Sequence, residues 1–266
     1  MKIAIVTGAS SGMGREFVIQ LTQYAQVDEI WAIARRTEAL EQLKSETSVP
    51  VRPVSMDLCD DRSFDALNQL LETEKPDVKL LVNAAGFGKF GSYRYISVED
   101  ECRMIQLNCT ALVRMTRLVL PYMHFGSHIL QLDSLSAFQP VPFLNTYAAT
   151  KHFVLAYSRG LNQELKGTGI RCMAMNPGWV RTEFFDHACQ TNDAGEVQYF
   201  NRIYEANDVV ATGLKDLYRS QKDYSVHGLP IKAQVLLVKC IPHALAMKIW
   251  QLQQKHPKNN VGLTTK

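Results

Sequence analysis

The chain has 266 residues, is 46% hydrophobic and 21% charged, and carries a formal net charge of +3; it is long enough for one large α/β domain with a substantial core, and its balance is that of a soluble globular protein. No Lys/Arg run marks a nucleic-acid-binding arm, and no stretch approaches the roughly 18 uncharged residues that span a bilayer. The six cysteines (Cys59, Cys102, Cys109, Cys172, Cys189 and Cys240) are scattered without a CxxC pair, which argues against zinc and fits free thiols in a reducing cytosol. The apolar run Met1–Thr7 is too short for a signal-peptide core, so a cytoplasmic location is expected.

Short runs rich in Val, Ile and Leu alternate with segments of helical periodicity. The runs Ile3–Thr7, Glu29–Ala34, Val51–Met56, Lys79–Asn83, His128–Leu132 and Arg171–Met175 read as strands. Gly14–Tyr24, Glu38–Ser45, Ser63–Leu71, Val98–Met123 and Tyr147–Leu165 carry apolar residues at helical spacing. Strands separated by helices of this length imply right-handed βαβ crossovers and a parallel sheet covered on both faces. The expected fold is a single doubly wound Rossmann-type α/β domain over residues 1–266, with no internal repeat or linker. Beyond Val180 the pattern weakens. Residues 183–207 are polar and irregular and read as a substrate loop, Asp208–Ser220 is helical again, and Tyr224–Val226 reads as a short last strand. Residues 230–255 are apolar but studded with Lys232, Lys239 and Lys248, which predicts two helices flanking Pro242.

The first strand runs into Thr7-Gly8-Ala9-Ser10-Ser11-Gly12-Met13-Gly14, and a helix follows. Glycines there let the backbone approach a pyrophosphate, and the helix's unpaired N–H groups favour negative charge. Ordinary βα turns are also Gly-rich, so a turn that merely closes a βα unit is the alternative reading. The end of the second strand sets which dinucleotide fits, since an acidic residue there accepts bonds from a ribose 2′-OH and repels a 2′-phosphate. Ala34 takes that place and Arg35 and Arg36 follow it. A guanidinium suits a phosphate in charge and geometry, and arginine is unfavourable at a helix N-terminus, so the pair points to NADP(H). Tyr147-Ala148-Ala149-Thr150-Lys151 sets a phenol and an ammonium one helical turn apart. Such a pair is commonplace on helix surfaces. Ser134, thirteen positions earlier at the C-terminal end of a strand, changes its meaning, because ligands sit at that end of open parallel sheets.

Taken in order, these motifs resemble the short-chain dehydrogenase/reductase family over roughly residues 3–182. The TGxxxGxG turn, Asp57-Leu58, Asn83-Ala84-Ala85-Gly86, Ser134, the YxxxK pair and Asn176-Pro177-Gly178 with Val180 and Thr182 all match its pattern. The resemblance implies a cofactor site formed by Gly8, Ser10, Ser11, Gly12, Met13, Gly14, Arg35, Arg36, Asp57, Leu58, Asn83, Ala84, Gly86, Tyr147, Lys151, Pro177, Gly178, Val180 and Thr182. It implies that Tyr147 is the acid/base, that Lys151 lowers the Tyr147 pKa and holds the nicotinamide ribose, and that Ser134 steadies the substrate oxygen. Asn108 matches the family's fourth catalytic residue, which bends its helix and anchors a water leading to the lysine. No metal is implied. Two positions depart from the usual wording: Asp133 stands where serine is common, and Met13 where Ile or Leu is frequent.

Phe87, Phe138, Phe143, Trp179, Phe184 and Phe185, with Val141 and Leu144, follow strand ends and suggest a large apolar pocket for a steroid, bile acid or acyl ketone. A small polar carbonyl is the rival substrate. A catalytically silent NADP(H)-binding sensor or scaffold is the rival function, although such a protein would be expected to have lost Ser, Tyr or Lys. A nucleotide sugar epimerase or dehydratase would show TGxxGxxG and a longer C-terminal substrate domain, and this chain has neither. A homodimer or homotetramer is expected. The segment 230–255 is left with three readings: a lid over the cleft, a subunit contact, or a peripheral membrane contact with its lysines facing lipid phosphates.

Overall fold

The computed structural model describes residues 1–191 and 195–255. Its framework is a seven-stranded parallel sheet built from β1 (Lys2–Thr7), β2 (Glu29–Ala34), β3 (Val51–Ser55), β4 (Asp77–Asn83), β5 (His128–Leu132), β6 (Arg171–Met175) and a short last strand, Tyr224–Ser225, in the spatial order β3-β2-β1-β4-β5-β6 and then that last strand. Every neighbouring pair in it is parallel. A separate two-stranded ribbon pairs β7 (Trp179–Arg181) with β8 (Ile203–Glu205), so Tyr224–Ser225 is β9. The doubly wound α/β expectation holds, and the predicted strands meet the observed ones to within two residues at either end.

The alternation of side chains along the strands builds two cores. Ala4, Val6, Ile30, Ala32, Leu80 and Val82 face one layer, which includes Phe17, Val18 and Leu21 from α1 (Gly12–Gln20) and its continuation. Ile3, Ile5, Trp31, Ile33 and Leu81 face the other, under Phe64, Leu67 and Leu71 of the helix Asp61–Glu74. Burying each such large side chain stabilises by about 1.5–3 kcal/mol, which is why strands sandwiched on both faces read as continuous apolar runs. Between the second and third strands lies α2 (Thr37–Gln42), so the helix Asp61–Glu74 is α3.

The predicted single helix Val98–Met123 has three parts: α4 (Val98–Ile105), a π-helical stretch Gln106–Ala111, and α5 (Leu112–Val119). The widened turn carries Asn108. The helix α6, which carries Tyr147 and Lys151, spans Asn145–Glu164. The segment read as an irregular loop, which follows β7, holds α7 (Phe184–Ala188) and β8; residues 192–194 of it lie outside the described residues. Elements of three to five residues carry too little periodicity to be read from sequence. The chain continues through α8 (Ala206–Arg219), α9 (Leu229–Cys240) and α10 (His243–Lys255), the last two flanking Pro242 as predicted. No helix among the described residues is long and apolar enough to cross a membrane.

Candidate active site

Strand order reverses at β1, which lies between β2 and β4, and crevices open at such switch points beyond the strands' C-terminal ends. The turn after β1 is held against the segment after β4 by Thr7, whose Oγ1 accepts bonds from the backbone N–H groups of Ala84 and Ala85, both at 3.1 Å. Glycine is required here by space. A Cβ on Gly14 would lie 2.1 Å from the Gly8 carbonyl oxygen, and one on Gly8, at φ +68, would meet the Ala85 nitrogen at 2.8 Å. A turn this flat leaves a cradle that any side chain would fill.

The cradle opens into a cleft of about 660 Å³. Its floor is lined by Gly8, Ser10, Ser11, Gly12, Met13 and Gly14, its flank by Arg35, Arg36, Asp57 and Leu58, and its far wall by Ala84, Gly86, Pro177, Gly178, Val180 and Thr182. The two arginines differ. The Arg36 guanidinium donates to the Ser10 hydroxyl and carbonyl oxygens (3.3 and 3.2 Å) and pairs with Glu183 at 3.0 Å. Arg35 is exposed on the same rim and its side chain has no hydrogen bond or ion pair among the described residues. Asn83 does not face this cleft. Its amide donates to Thr116 Oγ1 (3.0 Å) and Gln131 Oε1 (2.9 Å) beneath the sheet, because strand alternation turns it away from the crevice. The cofactor role expected of Asn83 is therefore corrected to one of tying β4 to β5 and α5.

Deeper in the cleft, Ser134, Tyr147 and Lys151 line one wall. Ser134 follows β5, and its position is fixed by Asn176 after β6, whose Nδ2 donates to the Ser134 carbonyl at 3.1 Å and to the Asp133 carboxylate. Tyr147 and Lys151 lie on the buried face of α6. Burial pushes the Tyr147 phenol up from its usual range, a hydrogen bond with Ser134 pulls it back, and the Asp133 charge pushes it up further. Lys151 is turned towards the Leu132 carbonyl, to which Nζ donates at 2.8 Å, and Nζ stands 5.7 Å from the Tyr147 ring centroid. Burial pulls the Lys151 ammonium down and the Asp133 charge pushes it up. Asp133, 2% exposed, is itself pushed well above the carboxylate range by burial, with Lys151 opposing, and its Oδ1 has no hydrogen-bond partner. The carboxylate in the place of serine thus belongs to the site's electrostatics.

Asn108, 1% exposed, uses its amide to clamp the loop after β4. Its Nδ2 donates to the Phe87 carbonyl (2.9 Å) and to Thr150 Oγ1 (3.1 Å), and its Oδ1 accepts from the Phe87 N–H (3.1 Å). A Cβ on Gly86 would lie 3.0 Å from Asn108 Oδ1 and 4.0 Å from Lys151 Nζ, so the asparagine and the lysine flank one backbone segment.

The outer half of the cleft is aromatic. Phe87, Trp179, Phe184 and Phe185 line it, as do Val141 and Leu144. The ring of Tyr147 lies 5.5 Å from Phe184, and Trp179 lies 5.7 Å from Phe185. Phe138 and Phe143 do not line it, and both expectations are corrected. The 3₁₀ turn Leu135–Phe138 sends Phe138 away to pack on Tyr224, 5.5 Å between rings, beneath α9. Phe143 sits at φ +68 with its carbonyl accepting from Gly91, and its ring packs behind the wall. Two wall residues are additional. Phe90 packs between Tyr147, Trp179 and Phe184, and its three-residue spacing from Phe87 was an available signal. Trp250 of α10 stacks on Trp179 at 6.4 Å and donates to the Pro142 carbonyl at 3.0 Å, a long-range contact with no local signature. Among the described residues no group of three His, Cys, Asp or Glu side chains is arranged to hold a metal.

A doubly wound parallel sheet with a glycine cradle at its switch point, and a Ser, Tyr and Lys wall in the same cleft, defines a dinucleotide-dependent oxidoreductase architecture. The chain belongs to the short chain dehydrogenase family, whose model matches residues 2–193. It is 32% identical over 244 residues to an NADP-dependent 3-hydroxy acid dehydrogenase of Escherichia coli (strain K12), covering 90% of this chain and 94% of that one. It is 32% identical over 191 residues to an NADP-dependent 3-hydroxy acid dehydrogenase of Schizosaccharomyces pombe, covering 69% and 73%. A solved short-chain dehydrogenase from Sphingobium yanoikuyae in complex with NADPH superposes with a TM-score of 0.76 at 25% identity, covering 100% of this chain and 98% of that one.

Proposed function

We propose that this chain is an NADP(H)-dependent oxidoreductase that interconverts a carbonyl and a secondary alcohol on a substrate with a bulky apolar body. The observation that carries the reading is the joining of the glycine cradle, the arginine rim and the Ser134–Tyr147–Lys151 wall in one cleft. The residues fit the cofactor: a backbone cradle that a Cβ would fill would take the pyrophosphate, and Arg35, with Arg36 beside it on the rim, would take the 2′-phosphate. When bound, the nicotinamide supplies or accepts hydride at the carbinol carbon.

Tyr147 gives its phenolic proton to the carbonyl oxygen in reduction and takes it back in oxidation. An ordinary phenol already keeps its proton at neutral pH, and burial pushes Tyr147 further in that direction, which suits reduction. Ser134 donates a hydrogen bond to the same oxygen and steadies the charge that develops there. Lys151, held by the Leu132 carbonyl with Nζ 5.7 Å from the Tyr147 ring centroid, would hold the nicotinamide ribose hydroxyls. Asn108 ties the Phe87 loop to Thr150, the residue before Lys151 on α6. The aromatic outer wall excludes water and takes the apolar body of the substrate.

A second reading, a small hydroxy acid, is favoured by the names of the relatives and by Lys89. That side chain lines the cleft, bonds Gln190 at 3.1 Å, and has no acidic partner among the described residues, so it is available to a carboxylate. NADPH oxidation measured with ketosteroids, oxo-bile acids and acyl ketones against small oxo acids separates the two. Faster turnover of the bulky ketones is expected. Turnover confined to small oxo acids supports the second reading, and no carbonyl-dependent oxidation of NADPH by any substrate overturns both.

A further inference from the structure

The helices α9 and α10 are two-faced in an unusual sense, since both faces are apolar. Ile231, Val235 and Val238 of α9, and Ala246, Trp250 and Gln254 of α10, are buried against the body of the protein. The inner contacts include Ile231 over Gly178, the Trp250 bond to Pro142, and Gln254 Oε1 accepting from the N–H groups of Gln198 and Tyr199. The outward faces are not needed for that packing, yet they present Leu229 (79% exposed), Leu236 (66%), Leu237 (57%), Leu245, Ile249 and Leu252. At the 3.6-residue helical repeat, Leu229, Leu236 and Cys240 fall within about 40° of one another, and Leu245, Ile249 and Leu252 within about 60°. Lys232 and Lys248 each lie one step round from these stripes.

Charge is distributed as unevenly as exposure. From Leu229 to the end of the chain there are six lysines and no Asp or Glu, although the whole chain has 26 acidic residues against 29 Lys and Arg. Lys239 is engaged, donating to the Tyr224 hydroxyl at 2.9 Å and lying over the Phe138 ring. Lys232, Lys248 and Lys255 are exposed and have no ion pair among the described residues. A patch of leucines bordered by unpaired lysines combines the two attractions that hold an interfacial helix in the plane of an anionic bilayer. A second copy of the chain is a poor occupant, since a two-fold contact would set lysines against lysines with no acidic residue in the segment to pair them.

We propose that α9 and α10 form a docking surface for an anionic lipid membrane. Neither helix is long enough to span it, so both lie along the surface. The same helices contribute Gln234, Trp250 and Gln253 to the lining of the cleft, so docking brings the cleft's outer wall to the lipid, where apolar substrates concentrate. The docking does not depend on the carbonyl chemistry proposed above.

Sedimentation of the full chain with phosphatidylcholine vesicles, with and without phosphatidylserine, tests this. Partitioning at least tenfold stronger to the anionic vesicles, falling as salt is raised, is expected. Combining Lys232→Ala, Lys248→Ala and Lys255→Ala, or separately Leu236→Ser, Leu237→Ser and Leu252→Ser, should each lower binding at least tenfold. These residues are exposed, so thermal stability and the circular dichroism spectrum of both variants should match wild type. Absence of binding to anionic vesicles, or equal binding to neutral ones, overturns the proposal. So does dissociation of a dimer by the leucine replacements in sedimentation velocity without vesicles, which would assign the face to a second copy. Capture of an acidic protein in place of vesicles overturns it as well.

Discussion

Replacing Arg35 by alanine isolates the rim proposed to select the dinucleotide. Because the Arg35 side chain has no partner among the described residues, its removal orphans no internal group, and stability should change by less than about 0.5 kcal/mol. The expected loss is one charge-assisted contact to the 2′-phosphate, worth about 1–3 kcal/mol, or roughly 5- to 150-fold in Kd. NADH has no 2′-phosphate, and its Kd should move less than about twofold by the same reasoning. Arg36→Ala is the control with a different signature, since it also breaks the Glu183 pair and the Ser10 contacts and should disturb the glycine turn for both cofactors. Titration of nucleotide fluorescence with each variant reads all four constants. Equal losses for NADPH and NADH in Arg35→Ala, or a wild-type chain that prefers NADH, would refute the argument.

Gly14→Ala should abolish dinucleotide binding, because its methyl would lie 2.1 Å from the Gly8 carbonyl, and a retained Kd in the same titration would sink the cradle argument. Asn108→Ala leaves the part-buried N–H and C=O of Phe87 without their partner and should cost about 1–3 kcal/mol in denaturant unfolding; a loss below about 0.5 kcal/mol would show the clamp to be dispensable. His128 is pulled down from 6.5 to about 4, first by burial and then by Arg171. The unfolded chain therefore binds the extra proton first, and stability should fall as pH drops from about 6.5 towards 4, by up to about 3 kcal/mol. Unfolding curves of His128→Gln should lack that part of the slope, and an unchanged slope would assign the acid sensitivity elsewhere.

Much of the fold was legible because the sheet is buried on both faces. Runs such as His128–Leu132 and Arg171–Met175 have no polar alternation to confuse them, and helices of ordinary length separate them. The glycine turn, Ser134 and the Tyr147–Lys151 pair were legible because each depends on local spacing. Side-chain direction was not. Asn83 and Phe138 lie in the right stretches of chain, but strand parity turns one under the sheet and a 3₁₀ turn sends the other beneath α9. The β7–β8 ribbon escaped notice because three-residue strands have no period. Trp250 joins the cleft wall through a contact with Pro142 across more than a hundred residues, which no local pattern encodes. Asn108 is locally unfavourable in a regular helix and sits in the π-helical stretch, where the resemblance implied only a bend.

The central claim is that the Tyr147 hydroxyl moves the proton while hydride passes to or from the carbonyl carbon. Tyr147→Phe removes that oxygen and leaves the ring that packs on Phe90 and Phe184. Single-turnover oxidation of NADPH by a ketone that the wild type reduces, measured beside NADPH binding to the same variant, is the direct test. The account predicts unchanged NADPH affinity and a rate lowered by about 10²–10⁴-fold, the usual contribution of a positioned general acid. A variant that binds NADPH normally and keeps more than a few per cent of the wild-type rate would contradict it.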